Sequence, residues 1–495
     1  MIKSFRLKRF KAFVDSGDIP LAPLTCLVGR NSSGKSSLVQ ALLLLRQSIS
    51  DEGVSSPFPQ LLVNGPSFEG GSFEDIVFKH KMSSELGFSF RSQFEPISEK
   101  DRARNRPRPS SEPIVPLRLP AQGMFAPYYQ RAFLLRRYGH LPSHPTDIHV
   151  SLFFSREAPF GPGLARIEIG VADIGSATFL RTSGKRREQH WRVYTNDLPR
   201  QSITLTFPMG RFLPSLYIRQ KGYGSAPARA RKKLREFLSC AEFAVADIMS
   251  FLGSIRIVGP FRTPPERRYV FTGFRAADVG PSGKQAVDLL IMEGLLSAPD
   301  ARPLRKAVAS WLKQLGLARN FDIRRISKKS NLFELILSRA GVASKANFAD
   351  VGFGISQVLP VLVQGLLTPR GGTYVVQQPE LHLHPDAQAG LADFFLFLAK
   401  NGVRTIVETH SEYILLRVRR RLAEGHTQAV GSDTSQKVVL TKSDVSILFV
   451  KEQPTGNRFE QLEIGDSFQF ENMPRDFMNQ AVQDRLHLLH ALGAK

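Results

Sequence analysis

The sequence predicts an α/β fold whose core is a parallel sheet, with an inserted α+β subdomain and a small C-terminal α+β unit. Three observations predict it. A short apolar run at 24–28 feeds a glycine-rich turn and then a Leu-rich stretch at 37–47, the order strand, loop, helix. Two further apolar runs, 373–376 and 404–408, read as buried strands on either side of a helical stretch at 386–399. Between the first run and these two, the composition shifts toward basic clusters mixed with short strand-like runs, and the chain finishes on a strand pair and a helix.

Residues Gly29, Arg30, Asn31, Ser32, Ser33, Gly34, Lys35 and Ser36 satisfy the pattern G-x-x-x-x-G-K-[ST] at every fixed position, and Ser37 carries the chain into the helix. Glycines let backbone N–H groups close around phosphate oxygens, and the helix N-terminus adds partial positive charge. Lys35 would reach the β- and γ-phosphates and the Ser36 hydroxyl would ligate Mg²⁺. ATP and Mg²⁺ are therefore the expected ligands.

A chain of 495 residues suits two to three domains, or one large domain with insertions. The composition shifts divide it into 1–95, the first part of the ATP-binding head; 96–250, an inserted basic subdomain; 251–430, the second part of the head; and 431–495, a small C-terminal domain. Lys and Arg number 67 against 44 Asp and Glu, a net charge of +23, and such a field concentrates polyanions. DNA, RNA or an acidic protein are the partner classes it suits. Apolar runs such as 42–45 and 394–399 fall far short of the ~18 residues of a membrane span, so no membrane partner is expected. The N-terminus lacks a signal-peptide core, and Cys26 and Cys240 make no disulfide framework, both of which fit a cytoplasmic protein.

In chain order, strands are expected at 2–7, 18–21 and 24–28, a helix at 37–47, and a hairpin with a strand over 64–78. Arg102, Arg104, Arg106 and Arg108, interleaved with Pro and Ser, read as a linker. Strands at 148–154, 165–171 and 203–207 alternate with the basic clusters Arg136-Arg137 and Lys185-Arg186-Arg187. A helix over 229–251 opens on a basic cluster and lines up Leu234, Phe237, Leu238 and Phe243 for packing. Helices at 285–297 and 303–315 and strands at 321–326 and 332–338 follow. Gly354, Ser356 and Gln357 then form a Gly-x-Ser-Gln turn at the start of a helix, an anion site in waiting because the serine can cap and the dipole can face phosphate. The strand at 373–376 leads to Gln377-Gln378-Pro379-Glu380-Leu381-His382-Leu383-His384-Pro385, and the strand at 404–408 to Thr409-His410-Ser411.

Taken in this order, the motifs resemble the P-loop NTPase head domains of the ABC/SMC-like ATPases, those related to the SMC, RecF and OLD proteins. The chain most resembles the AAA-type ATPases with a small C-terminal domain of the DUF3696 kind, many of which belong to bacterial anti-phage defence operons. The resemblance implies heads that dimerise face to face, with Gly354, Ser356 and Gln357 of one chain touching the γ-phosphate held by the other. It places His384-Pro385 near the dimer interface and makes His410 the γ-phosphate sensor. It puts Gln377 in the Mg²⁺ shell and Gln378 where the attacking water is polarised. Gln47 admits two readings, a sensor acting through Mg²⁺ or an ordinary amide at a helix end.

The chain departs from the pattern at Gln377-Gln378, where the resemblance calls for acidic residues. An amide orients water but cannot accept its proton, so general-base help of ~10²–10⁴-fold is missing unless Glu380 supplies it. Tight ATP binding, ATP-dependent dimerisation and weak turnover are the expectation. By resemblance the chain is a switch that regulates an effector such as a nuclease. A scaffold that binds ATP without turnover and a repair-type DNA-binding ATPase are the alternatives. Asp444, Asp466 and Asp476 read as turn or cap residues, not as a Toprim-type cluster, so no nuclease centre is expected on this chain.

Overall fold

The computed structural model describes residues 2–49, 60–81, 83–95, 144–157, 161–182, 190–198, 203–206, 213, 215–218, 227–273, 276–297, 302–327, 330–338, 345–431, 440–472, 474, 484, 487, 488 and 490. The Arg102–108 linker, the clusters Arg136-Arg137 and Lys185-Arg186-Arg187, Asp476 and most of the expected C-terminal helix lie outside them.

The chain opens with strands β1 (Ile2–Phe10), β2 (Phe13–Asp15), β3 (Ile19–Pro20) and β4 (Leu24–Val28), then helix α1 (Lys35–Ile49). Of the hairpin and strand expected over 64–78, an antiparallel bridge Asn64↔Glu69 closes the hairpin, while the strand gives way to a single helical turn, α2 (Phe73–Ile76). Ser72 and Asp75 form a capping box there, and such short polar side chains favour the turn over a ladder. Next come β5 (Leu86–Phe94), β6 (Thr146–Glu157), β7 (Gly161–Val171), β8 (Gly175–Thr182), β9 (His190–Asn196), β10 (Ile203–Thr206), β11 (Ser215–Ile218) and the long helix α3 (Ala228–Ser254). After these the chain forms β12 (Ile255–Val258), β13 (Tyr269–Val270), α4 (Ala286–Leu296), α5 (Pro303–Gln314), β14 (Asn320–Arg325), β15 (Leu332–Ser338) and β16 (Lys345–Asn347). It closes with α6 (Phe353–Leu367), β17 (Thr373–Gln377), α7 (Pro385–Lys400), β18 (Arg404–Glu408), α8 (Glu412–Gly431), β19 (Val445–Lys451) and β20 (Arg458–Leu462).

The central sheet has the order β12-β17-β18-β4-β19-β20, parallel throughout except for the antiparallel edge strand β20. Every residue of β4 is buried, as expected of a parallel strand covered on both faces. Successive side chains point to opposite faces, so Leu24, Cys26 and Val28 join one core while Leu27 joins the other. One core is lined by α1 and α3, the other by α4, α6, α7 and α8.

The first core is shared with a second, antiparallel sheet ordered β2-β1-β5-β6-β7-β8-β9, with β3 also on β1. Phe5, Phe10, Phe88 and Phe154 are fully buried in it, their rings 5.8–6.2 Å apart in successive contacts. The described strands β6–β9, within 96–250, extend the sheet begun by β1 and β5, and α3 packs on the same core. Strand β19 pairs in parallel with β4 from Val445↔Leu24 to Phe449↔Val28, inside the central sheet.

Helix α3 is long and apolar enough to cross a bilayer by composition. Its apolar residues Leu234, Phe237, Leu238, Ile248 and Leu252 are instead fully buried in the first core. Cys26 on β4 and Cys240 on α3 are free and buried, and burial pushes both thiols up to about 12.

Candidate nucleotide site

Strand β4 ends in Val28 and the chain bends through Gly29 (φ 148°), Ser32 (φ 61°) and Gly34 (φ 100°) before α1 starts at Lys35. A side chain at Gly34 would meet the Phe13 ring at 3.1 Å and Ala12 at 3.2 Å, so the loop has room only for glycine there. Arg30, Asn31 and Ser32 are exposed at the crest, while Ser33, Lys35 and Ser37 are buried beneath. The Lys35 ammonium donates to the carbonyls of Gly29 at 3.0 Å and Arg30 at 2.6 Å, folding back into its own loop. Burial holds it below the ordinary lysine value, opposed by the nearby carboxylates of Glu408, Glu380 and Glu452. Ser33 Oγ is buried without a hydrogen-bond partner.

The ends of β17 and β18 face this loop because both strands run parallel to β4. Gln377 pairs with Glu408 across them, and Glu408 pairs with Leu27 of β4 on its other side. The Ser36 hydroxyl donates to Glu408 Oε1 at 2.5 Å, and the Gln377 amide donates to Glu408 Oε2 at 2.6 Å. After β17, Gln378 sits at φ 45° with its N–H on the Glu408 carbonyl at 2.7 Å. Arg262, just past β12 and 7% exposed, donates from Nη2 to the carbonyls of Gln377 at 2.6 Å and Gln378 at 3.1 Å. Its Nε and Nη1 are buried without partners, and burial lowers the guanidinium to about 10.

Glu380 Oε1 accepts the His410 N–H at 2.7 Å, which ties the two turns together. Burial raises the Glu380 carboxyl above the ordinary range, with the His410 amide pulling it back. The His410 imidazole is lowered by burial and by Lys35, with Glu408 opposing. His384 caps α7 by accepting the Asp386 N–H at 3.4 Å. Lys35, Ser36, Gln377, Gln378, Glu380 and His410 are thus gathered around one carboxylate, Glu408. That arrangement of strand, phosphate loop, helix and parallel neighbours is a P-loop NTPase fold.

Gln47 lies eleven residues beyond Ser36 on α1, roughly 16 Å away at 1.5 Å per residue. Its amide nitrogen donates to the carbonyls of Leu62 and Phe68 and its oxygen accepts the Phe68 N–H, so it braces that loop, in line with the second of its two readings. The Gly354-Ser356-Gln357 turn opens α6 as expected, but Ser356 is 3% and Gln357 6% exposed. The Ser356 hydroxyl donates to the Phe353 carbonyl at 2.7 Å. What this turn presents to solvent is Gly352 and Phe353, the latter 59% exposed with its ring 6.1 Å from that of His382.

Sequence reasoning missed Glu408, Arg262 and Asn457. The Asn457 amide, in the β19–β20 turn, donates to the Ser33 carbonyl at 2.7 Å and so props the phosphate loop from the far end of the chain. Glu408 stands directly before the Thr-His-Ser turn that was noticed, but only strand register brings it to Ser36.

Among known proteins, residues 1–89 and 304–415 match the AAA ATPase domain family. The OLD nuclease of Thermus scotoductus is 30% identical over 128 residues, which cover 23% of this chain and 23% of that protein. The chain thus spans about a quarter of the length of that relative. Solved structures with a similar fold include the Smc head domain bound to the C-terminal domain of ScpA from Pyrococcus furiosus, at 11% identity and TM-score 0.40, covering 99% of both chains. The SMC head domain from Thermotoga maritima is similar at 10% identity and TM-score 0.36, covering 94% of this chain and 99% of that one. The sequence matches are thus to an AAA ATPase domain over two segments and, over a shorter stretch, to an OLD nuclease.

Proposed function

We propose that this chain binds ATP with Mg²⁺ on the loop 29–37 and works as an ATP-dependent switch that pairs head to head and regulates an effector protein, with slow hydrolysis. The observation that carries this reading is the convergence of Lys35, the Ser36 hydroxyl and the buried Glu408 carboxylate at the mouth of a glycine-bent loop. The donor set fits the ligands. Mg²⁺ takes hard oxygen donors, which the Ser36 hydroxyl supplies with the strand-end carboxylate of Glu408 behind it, and the loop N–H groups with Lys35 suit phosphate oxygens.

When bound, Mg²⁺ would neutralise charge developing on the phosphates. The chain's residues do the rest. The loop amides and Lys35 hold the phosphates, Gln378 orients a water without accepting its proton, and Glu380 beside the His410 turn, its carboxyl raised by burial, is an inefficient acceptor for that proton. With Gln377 and Gln378 neutral, turnover is limited by the missing base, and the ATP-bound state persists long enough to act as a signal. Glycine-rich backbone at Gly352–Gly354 and the exposed Phe353 suit contact with a second head, and Ser356 would join only after its bond to Phe353 breaks.

The DUF3696-like family and the role in bacterial anti-phage defence rest on the motif resemblance, and a nuclease as effector is supported by that resemblance together with the relative named OLD nuclease. The excess of cations fits a DNA or RNA partner, whose binding would weaken steeply with salt. Binding of a fluorescent ATP analogue, with light scattering, tests the core of the proposal. Lys35→Ala is expected to weaken binding at least ~100-fold and to abolish ATP-dependent dimerisation, in line with a phosphate-charge contact. Equal binding by wild type and Lys35→Ala, or a monomer at saturating ATP, would overturn it.

A further inference from the structure

Strand β17, where the resemblance asks for acid, ends in an amide. The neighbouring strand β18 ends in a carboxylate, and parallel register sets the two side by side, Gln377↔Glu408. Glu408 is 2% exposed, and a buried carboxylate persists only where its oxygens are satisfied. Here one oxygen takes the Ser36 hydroxyl proton at 2.5 Å and the other the Gln377 amide at 2.6 Å. A serine hydroxyl that donates to a carboxylate keeps both lone pairs free and becomes richer in electron density, which makes it a stronger ligand for a hard cation.

We propose that the acidic function has moved one strand over: Glu408 supplies the carboxylate that Gln377 lacks, polarising the Ser36 hydroxyl toward Mg²⁺, and Gln377 serves as the amide that fixes the Glu408 rotamer. Glu408 is thus a positioning residue acting through Ser36. The assignment rests on the nucleotide reading given above, and it explains how a chain with a double glutamine keeps a divalent cation site. Sequence order conceals it, since 372 residues separate Ser36 from Glu408.

The test uses the full chain and a fluorescent ATP analogue titrated with Mg²⁺ and, separately, in EDTA. Glu408→Gln should raise the Mg²⁺ concentration for half-saturation ~10–100-fold, the range for loss of a group that orients a metal ligand, while binding in EDTA stays within about 2-fold. The exchange variant Gln377→Glu/Glu408→Gln keeps one carboxylate and one amide in the same hydrogen-bonded pair, with the carboxylate on the neighbouring strand end, and should recover the wild-type Mg²⁺ requirement to within about 3-fold, a rescue that a merely structural role would not produce. If Glu408→Gln does not fold, Glu408→Asp keeps the charge and retracts it from Ser36, and an intermediate shift is expected. An unchanged Mg²⁺ requirement in Glu408→Gln or Glu408→Asp, or an equal loss with and without Mg²⁺, overturns the assignment while leaving the nucleotide reading intact. Failure of wild type to bind the analogue in either medium overturns both.

Discussion

The two largest sheets of this molecule do different work. In the central sheet, parallel strands end together, so Val28, Gln377 and Glu408 deliver three successive turns to one edge. Helices cover both faces, and the place left for chemistry is that edge, where helix α1 also aims its N-terminus. In the antiparallel sheet, neighbouring strands end at opposite edges, no common rim forms, and the rings of Phe5, Phe10, Phe88 and Phe154 fill one face. That sheet is a brace: it seats α1 and α3 and, through Phe13 and Ala12, closes on Gly34. The difference teaches that a residue's consequence here depends on which sheet it ends, more than on how buried it is.

The comparison breaks or sharpens on four measurements. The largest effect is expected from Phe88→Ala, which leaves a cavity among the rings of Phe5, Phe10 and Phe154 and should cost about 3–5 kcal/mol of stability in denaturant unfolding. ATP-analogue affinity measured well below the melting transition should stay unchanged. A large loss of affinity there would show that the brace takes part in the site. Arg262→Ala removes the donor from two carbonyls at the rim and should cost about 2–3 kcal/mol, with Arg262→Lys recovering part of it through a single donor. Turnover should fall along with stability. Should Arg262→Ala unfold like wild type, the rim needs no such prop.

Glu380→Gln tests the electrostatics of the same rim. Burial raises this carboxyl, so in the window between the ordinary range and its folded value the native chain holds a proton that the unfolded chain has released. Stability from this group is complete below the ordinary carboxylate range and is lost as pH rises through the folded value. The glutamine variant should therefore be more stable than wild type near neutral pH, and the gap should close in acid. A gap independent of pH would mean the carboxyl is not strained. Smallest of all, Arg91→Ala on the antiparallel sheet removes an exposed pair with Asp147 and should change stability by no more than about 0.5 kcal/mol.

Much of the rim was legible in the chain alone. The phosphate loop declares itself because glycine, lysine and serine at fixed spacing answer a local geometric demand, and the strand and helix around it follow from runs of Leu and Val. The helices α3, α4, α5 and α7 were legible for the same reason. The capped turn α2 was not, because Ser72 and Asp75 decide it by a reciprocal bond that a β-like composition hides.

By itself, then, the sequence determined the loop, its neighbouring elements and the neutral pair at 377–378, all of which depend on residues adjacent in the chain. Tertiary structure alone decided that Glu408 meets Ser36, that Arg262 holds the Gln377 turn, that Gln47 braces a loop, and that 146–196 and 445–462 complete sheets begun near the N-terminus. Those are matters of strand register and sheet order, set by which apolar faces can be buried together, and no spacing along the chain encodes them.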